Sequence, residues 1–226
     1  MNASVPVLAI DGPSGSGKGT VARRVATQLG WRLLDSGAVY RVTAVAAAAA
    51  GVSAADEQRM AEVASGLPVA FEADAAGDER ILLAGVDITK QVRSEETGEL
   101  ASRIAVLPAV RSALLTLQRS FRTPPGLVAD GRDMGTVVFP DAACKVFLTA
   151  SAEARAERRY KQLKEKGFDV RLATLFDDIA RRDARDAARV VAPLRPAADA
   201  IEIDSTALDV QQVVQRVLDA MAAVKP

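Results

Sequence analysis

Residues 11–20 read DGPSGSGKGT, a glycine-rich turn between an apolar run and a stretch of helical periodicity. The run VPVLAID at 5–11 is typical of a buried parallel strand. After the turn, apolar residues recur at helical spacing from Lys18 to about Leu29, and Gly30 is the expected stop. The stretch therefore predicts a strand, a glycine-rich loop and a helix, the first unit of a parallel α/β fold.

The glycine-rich loop matches the pattern G-x-x-x-x-G-K from Gly12 to Lys18. In such a loop, backbone N–H groups and the positive end of the following helix face one anion, and the lysine adds a full charge. The sequence therefore predicts a nucleotide phosphate site. Its residues are Gly12, Pro13, Ser14, Gly15, Ser16, Gly17, Lys18, Gly19 and Thr20.

Gly19 departs from the usual pattern, which places a magnesium-binding Ser or Thr directly after the lysine. Thr20 follows one residue too late, although its hydroxyl can still reach the α- or β-phosphate. We expect Mg²⁺ to take its ligands from nucleotide and water, because this ion gives up water reluctantly, with no direct protein ligand. Asp130, at the end of a predicted strand, either orients magnesium-bound water or caps a turn, and the sequence leaves both open.

Composition bounds the class of protein. The 226 residues are 49% hydrophobic and 26% charged with zero net charge, which is typical of a globular protein and argues against general attraction to nucleic acid or acidic lipid. With no His and one Cys, disulfides within the chain, Cys/His zinc sites and a histidine base are excluded. The longest apolar run, 44–52, is far shorter than the about 20 residues of a membrane span, and no secretion signal is evident. We expect a soluble cytoplasmic protein.

Strands and helices alternate at both ends of the sequence, around a middle of different character. Further strands are predicted at 31–37, 126–131, 144–151 and from 200, and helices to about Ala50, at roughly 94–121, 153–166, 172–189 and 207–223. Short strand-like runs at 67–89, broken by Ala-Gly-Asp and Ala-Gly, indicate antiparallel hairpins. The fold class expected is a parallel α/β core with a small β-rich insertion.

Four further segments accompany the loop: LLDSGAVYR (33–41), ASRIAVLPAVR (101–111), VADGRDMGTVVFPDA (128–142) and RRDARDAARVVAPL (181–194). Together they resemble the bacterial cytidylate kinases over about residues 5–205, and the G-K-G-T loop resembles that of nucleoside monophosphate kinases. The resemblance implies a P-loop kinase core at 1–36 and 108–226, with a parallel sheet flanked by helices and a helical lid at roughly 152–190. It also implies an acceptor-binding region at 37–107 that includes the β-rich insertion, roughly 66–90.

The activity implied by the resemblance is transfer of the γ-phosphoryl group of ATP to CMP or dCMP, with Mg²⁺, in pyrimidine nucleotide metabolism. Such transfer needs positioning and charge neutralisation more than covalent help, and a phosphate acceptor needs no base. The expected partners are ATP, CMP and dCMP, without nucleic acid or membrane, and the expected state is a monomer.

The resemblance also assigns residues to roles. Ser102, Arg111 and Asp133 would read cytosine, whose amino group suits a carboxylate and whose acceptors suit a guanidinium or hydroxyl. The remaining acceptor-side residues would hold the sugar and phosphate: Ser36, Tyr40, Arg41, Arg132, Arg182, Asp186 and Arg189. Arg158 is the expected ATP-side arginine, and the catalytic set is Lys18, Arg132, Arg158, Arg182 and Arg189.

Each assignment has a plainer alternative. Ser36 also suits the cap of the following helix, Arg111 a solvated helix position, and Asp133 a surface turn paired with Arg132. The arginines of the helix near 153–166, Arg155, Arg158 and Arg159, are also explained by solubility alone.

The helix near 172–189 carries an apolar stripe, Leu172, Leu175, Phe176 and Ile179, that continues into Arg182, Asp183, Asp186 and Arg189. Such a face either leaves the core for solvent or enters a polar cleft, and the resemblance favours the cleft. Ala187 departs from the longer polar residues expected there.

Two other functions stay open from the sequence. One is a P-loop kinase for another nucleoside monophosphate or a small metabolite. The other is a catalytically silent nucleotide- or RNA-binding protein. A GTPase is disfavoured because ITKQV at 88–92 lacks the aspartate of N-K-x-D.

Overall fold

The computed structural model describes residues 5–73, 79–165, 167, 169–189 and 191–224. It divides into two compact units. The first unit comprises Met1–Asp35 with Phe121–Pro226, and the second comprises Ser36–Ser120.

The first unit is built on a five-stranded parallel sheet with the order β2-β6-β1-β7-β8. In chain-order numbering its strands are β1 (Val7–Asp11), β2 (Arg32–Asp35), β6 (Leu127–Gly131), β7 (Cys144–Thr149) and β8 (Ile201–Asp204). The central strand β1 is buried at every position, as its apolar run predicts. Because all five strands run the same way, the segments that follow them meet at one edge of the sheet.

Helices accompany the sheet, and the first and last of them supply its apolar core. They are α1 (Lys18–Leu29), α7 (Ala152–Glu165), α8 (Leu172–Ala187) and α9 (Val210–Ala223), with a π-helical turn at Met134–Val138. Valines of α1 and α9, such as Val21 and Val217, pack with Leu8 and Val146 of the strands in one apolar cluster. α1 ends at Gly30 in a left-handed conformation, as predicted.

Trp31 is half-buried against the same cluster and lies over Gly126. A Cβ atom on Gly126 would come within 2.3 Å of the indole ring, so only glycine fits beneath it. The indole thus packs on the backbone directly before β6.

The second unit combines helices with a small antiparallel sheet, β3-β4-β5. Its elements are α2 (Ser36–Ala49), α3 (Glu57–Ser65), β3 (Val69–Ala73), β4 (Glu79–Leu83), β5 (Val86–Asp87), α4 (Thr89–Val92), α5 (Glu95–Ile104) and α6 (Pro108–Ser120). Val42 of α2 and Ile81 of β4 belong to its apolar cluster. The antiparallel hairpins are confirmed, while the predicted Ala-Gly-Asp break at 76–78 lies outside the described residues.

The helical stretch predicted at 94–121 is wrong as one element. Two helices, α5 and α6, meet there at an angle of 106°. Pro108 begins α6, because proline is favoured at the first helical position and its predecessor is biased away from helix. Within the described part of the chain, no single helix is long and apolar enough to cross a membrane. Only the bent α5–α6 pair, taken together, has the length and composition of a span.

Candidate active site

The loop after β1 turns sharply into α1. Gly15 and Gly17 hold left-handed backbone conformations with φ of 79° and 92°, which glycine adopts without strain. Lys18, the first residue of α1, is buried, and its Nζ donates a hydrogen bond to the carbonyl oxygen of Pro13 at 2.9 Å. The loop is thus closed on itself, with the helix end and the lysine at one place.

The surroundings of Lys18 disfavour its positive charge. The pKa of Lys18 is lowered from 10.5 to about 7, chiefly by burial and then by the charge of Arg132, while Asp130 acts in the opposite direction. A bound phosphate would supply the missing negative charge.

Asp130 lies close to position 19. A Cβ atom on Gly19 would lie 3.2 Å from Asp130 Oδ2, tighter than ordinary contact. Asp130 is buried, and among the described residues its Oδ1 has no hydrogen-bond partner. Burial raises the pKa of Asp130 to about 7, against the charge of Lys18. A carboxylate at the end of β6 therefore leaves little room for a side chain at position 19.

The same carboxylate fits a magnesium ion held through water. Its orphaned buried oxygen lies beside the phosphate loop, and carboxylates commonly hold Mg²⁺ alongside substrate phosphates. Within the ranges described, no group of three or more Asp, Glu, Cys or His side chains could hold a metal ion by itself.

Asp11 is a buried residue that the sequence reasoning missed. Its two carboxylate oxygens accept hydrogen bonds from the backbone N–H groups of Met134 and Gly135, both at 2.8 Å. Burial raises the pKa of Asp11 to about 6, and these two bonds oppose that shift. The end of β1 thereby fixes the start of the π-helical turn, directly after Asp133. The available signal was a polar residue at the carboxyl end of the central strand.

Ion pairs surround the buried Asp186 in the carboxyl half of α8. Asp186, 1% exposed, accepts from Arg132 Nε at 3.1 Å and from Arg189 Nη2. Asp133 is buried as well, so the alternative of a surface turn is wrong. Arg182 also lies on α8, and its positive charge contributes to lowering the pKa of Lys18.

The amino half of α8 behaves in the opposite way. Leu172 and Phe176 are 43% and 37% exposed, whereas Ile179 is buried. The stripe therefore runs from exposed apolar residues to the buried Asp186, which is the reverse of a helix that leaves the core for solvent.

Two arginines of α7 lie against the loop. Arg158 Nη1 donates to Ser16 O at 3.3 Å and to Ser205 Oγ at 3.0 Å. Arg155 is buried and reaches Ser14 O at 3.0 Å. Solubility therefore does not explain these two side chains. Ser205, a buried residue after β8 that the sequence did not single out, donates to Ser16 O at 3.1 Å and shares this role.

The second unit gathers several of its own predicted residues. Arg111 is buried, donates to Ala105 O at 3.1 Å and lies 5.9 Å from the centre of the Tyr40 ring, so it is not a solvated helix residue. Ser36 Oγ donates to Gln118 Oε1 at 2.8 Å, and both are buried.

Arg41 and Ser102 complete the predicted set of this unit. Arg41 Nη1 donates to the carbonyl oxygens of Val92 and Ser94, each at 2.9 Å. Ser102 is buried in α5. The arginine therefore spans from α2 to the turn between α4 and α5.

A phosphate loop between the central strand of a parallel sheet and the first helix defines a P-loop nucleotide-binding protein. The family model described as cytidylate kinase matches residues 8–223. The chain belongs to the cytidylate kinase family.

Named relatives match along the whole chain. A protein named cytidylate kinase from Methylococcus capsulatus strain Bath is 61% identical over 215 residues, which cover 95% of this chain and 96% of that protein. One of the same name from Pseudomonas syringae pv. syringae is 59% identical over 223 residues, 98% of this chain and 97% of the relative. The crystal structure of an uncharacterized protein from Eubacterium ventriosum shares the fold alone, with 13% identity, a TM-score of 0.50 and coverage of 96% and 99%.

Proposed function

We propose that this protein transfers the γ-phosphoryl group of ATP to CMP or dCMP, forming ADP with CDP or dCDP. The observation that carries the proposal is the identity of 59–61% to proteins named cytidylate kinase across at least 95% of the chain. The phosphate loop with its buried lysine supports the kinase chemistry independently.

On the donor side, the loop from Gly12 to Thr20 would bind the phosphates of ATP through backbone N–H groups. The positive charge of Lys18 would stabilise negative charge on the phosphoryl group during transfer. Burial of the lysine strengthens this electrostatic effect. Asp130 would orient the water shell of Mg²⁺, and the ion would neutralise charge on the phosphate oxygens.

On the acceptor side, Asp133 is proposed to accept from the cytosine amino group, and Ser102 and Arg111 to serve its acceptors. A buried carboxylate suits this role because a wrong base would leave it unpaired. The sugar and phosphate are assigned to Ser36, Tyr40, Arg41, Arg132, Arg182, Asp186 and Arg189.

The reaction proposed is an in-line displacement without a covalent intermediate. An acceptor phosphate oxygen is already ionised near neutral pH, so no general base is needed and the lack of histidine is no obstacle. Arg132, Arg158, Arg182 and Arg189 would contribute positive charge. Before substrate arrives, Arg132 and Arg189 are held by ion pairs with Asp186, and Arg158 is held by hydrogen bonds to Ser16 O and Ser205 Oγ.

An ADP-release assay with Mg-ATP and a panel of CMP, dCMP, UMP and AMP tests the proposal. CMP and dCMP are expected to be turned over, with kcat/KM for UMP lower by at least about 100-fold, because a polar site rejects analogues that leave its groups unpaired. Asp133→Asn should narrow the CMP-to-UMP ratio, whereas the exposed Asp199→Asn should not. Equal turnover of UMP or AMP would contradict the assignment.

A further inference from the structure

Arg155 joins three separate segments through one buried guanidinium. Its Nε donates to Ala150 O at 3.0 Å, and its Nη1 donates to Ser14 O at 3.0 Å. Nη1 and Nη2 also bind the two carboxylate oxygens of Asp183 on α8, at 3.0 and 2.6 Å. Guanidinium has five N–H groups, and a bidentate carboxylate pair is both strong and specific in direction. The side chain is 6% exposed and its donors are used within the protein.

The bond to Ser14 has a consequence for the phosphate loop. The carbonyl of Ser14 and the N–H of Gly15 belong to one planar trans peptide, so they face opposite ways. By holding the carbonyl oxygen, Arg155 fixes the direction of the Gly15 N–H, one of the loop donors. Arg158 acts likewise on Ser16 O and therefore on the N–H of Gly17.

The phosphate loop and α7 are in close contact at Gly15. A Cβ atom on Gly15 would lie 3.1 Å from the Cβ of Arg155. The backbone of the loop is thus packed directly on the arginine, and a shift of one would move the other.

The bond to Asp183 extends this link to α8. Asp183 lies one helical turn before Asp186, the residue that binds Arg132 and Arg189. Both aspartates lie on one face of α8 and pair with arginines, although Asp186 is buried and Asp183 is half-buried. The loop and the charged half of α8 are therefore connected through a single side chain.

We propose that Arg155 is a positioning residue that couples the phosphate loop to α8, so that ATP binding at the loop depends on the Arg155–Asp183 pair. The proposal rests on the proposed function for its substrate, ATP. It assigns Asp183 an effect on ATP binding at the loop, although the hydrogen bonds described for Asp183 are to Arg155.

The test compares this pair with a second Arg–Asp pair on α8. Arg155→Lys, Asp183→Asn and the double variant are set beside Arg181→Lys and Asp178→Asn, whose side chains pair on the exposed surface of the helix. Calorimetric titration with magnesium and a non-hydrolysable ATP analogue measures the affinity of the loop for nucleotide. Steady-state kinetics give KM for ATP and for CMP separately.

Arg155→Lys and Asp183→Asn are each expected to weaken analogue binding by roughly 5- to 50-fold, a usual range for coupling between sites. KM for ATP should rise in parallel and more than KM for CMP. The double variant should lose no more than the worse single variant, because both changes break the same link. The exposed pair should change binding by less than about twofold.

Two results would overturn the proposal: wild-type analogue affinity in Asp183→Asn, or an equal loss in the exposed-pair variants. Should Arg155→Lys lower the melting temperature, Asp183→Asn still decides, because Asp183 is partly exposed and its removal leaves Arg155 in place. Absence of CMP phosphorylation in the unaltered protein would reject the proposed function and leave the binding comparison intact.

Discussion

Two regions of the first unit bury positive charge by opposite means. At the loop, Lys18 donates to a backbone carbonyl, and burial brings its pKa down to about 7. Around α8, Arg132 and Arg189 share the carboxylate of Asp186, and Arg155 binds Asp183. The hydrogen bond of Lys18 is to a neutral carbonyl oxygen, whereas the arginines bind carboxylates of the same chain.

This difference separates two kinds of dependence. A buried cation without a strong counter-charge should respond to ligand and to pH. Arginines that are paired with a buried carboxylate should instead matter for stability, because removal of one partner leaves a charge uncompensated. The following changes break or sharpen that contrast, beginning with the largest expected effect.

Lys18→Ala should lower kcat/KM by about 10³-fold or more, in the range found when a donor to transition-state charge is removed. The fold should stay intact, because the lysine stabilises a ligand more than the free protein. Steady-state kinetics and circular dichroism measure the two effects, and the exposed Lys90→Ala serves as control. Substantial activity in Lys18→Ala would refute the role.

Asp186→Asn should act on stability. Removing one partner of a buried pair leaves uncompensated charge and costs about 3 to 5 kcal/mol of unfolding free energy. Urea unfolding followed by circular dichroism measures it. Asp178→Asn, at the exposed pair on the same helix, should change it by less than about 1 kcal/mol. Similar losses in both variants would show that burial is not the cause.

Gly19→Ser restores the hydroxyl found in most phosphate loops, yet we expect kcat/KM for ATP to fall, by roughly tenfold. The added Cβ would press on Asp130 Oδ2 at 3.2 Å. Gly19→Ala is the matched variant, because it adds the Cβ without the hydroxyl. A gain of activity in the serine variant would mean that the hydroxyl matters more than the space.

ATP binding should be accompanied by proton uptake above neutral pH. With a pKa of about 7, Lys18 is largely neutral at pH 8 in the free protein, and a bound triphosphate would restore its charge. Calorimetry in two buffers of different ionisation enthalpy should then show uptake of roughly half to one proton per ATP at pH 8. Lys90→Ala should keep this uptake, and its absence from the unaltered protein would place the pKa of Lys18 outside this range.

The first strand, loop and helix could be predicted from the sequence because the signals are local. Gly30 ends α1 where expected, and the spacing from Gly12 to Lys18 announces a phosphate loop by itself. Partners far apart in the chain could not be read in this way. Asp11 meets Met134, and Arg155 meets Ser14, only because parallel strands bring their following segments to one edge of the sheet.

Position 19 shows the same limit. The sequence revealed the missing hydroxyl, but not that Asp130, near the end of a different strand, lies close to position 19. The break between α5 and α6 was a local signal, Pro108, that the helical periodicity on both sides obscured.

The packing of Trp31 on Gly126 gives the protein a built-in optical reporter. The chain has one tryptophan, and it lies in the first unit, against the apolar cluster of α1 and the sheet. Its emission therefore follows the melting of that unit alone, while far-ultraviolet dichroism follows the helices of both. A difference between the two curves would reveal whether the chain unfolds as one cooperative body or in two steps.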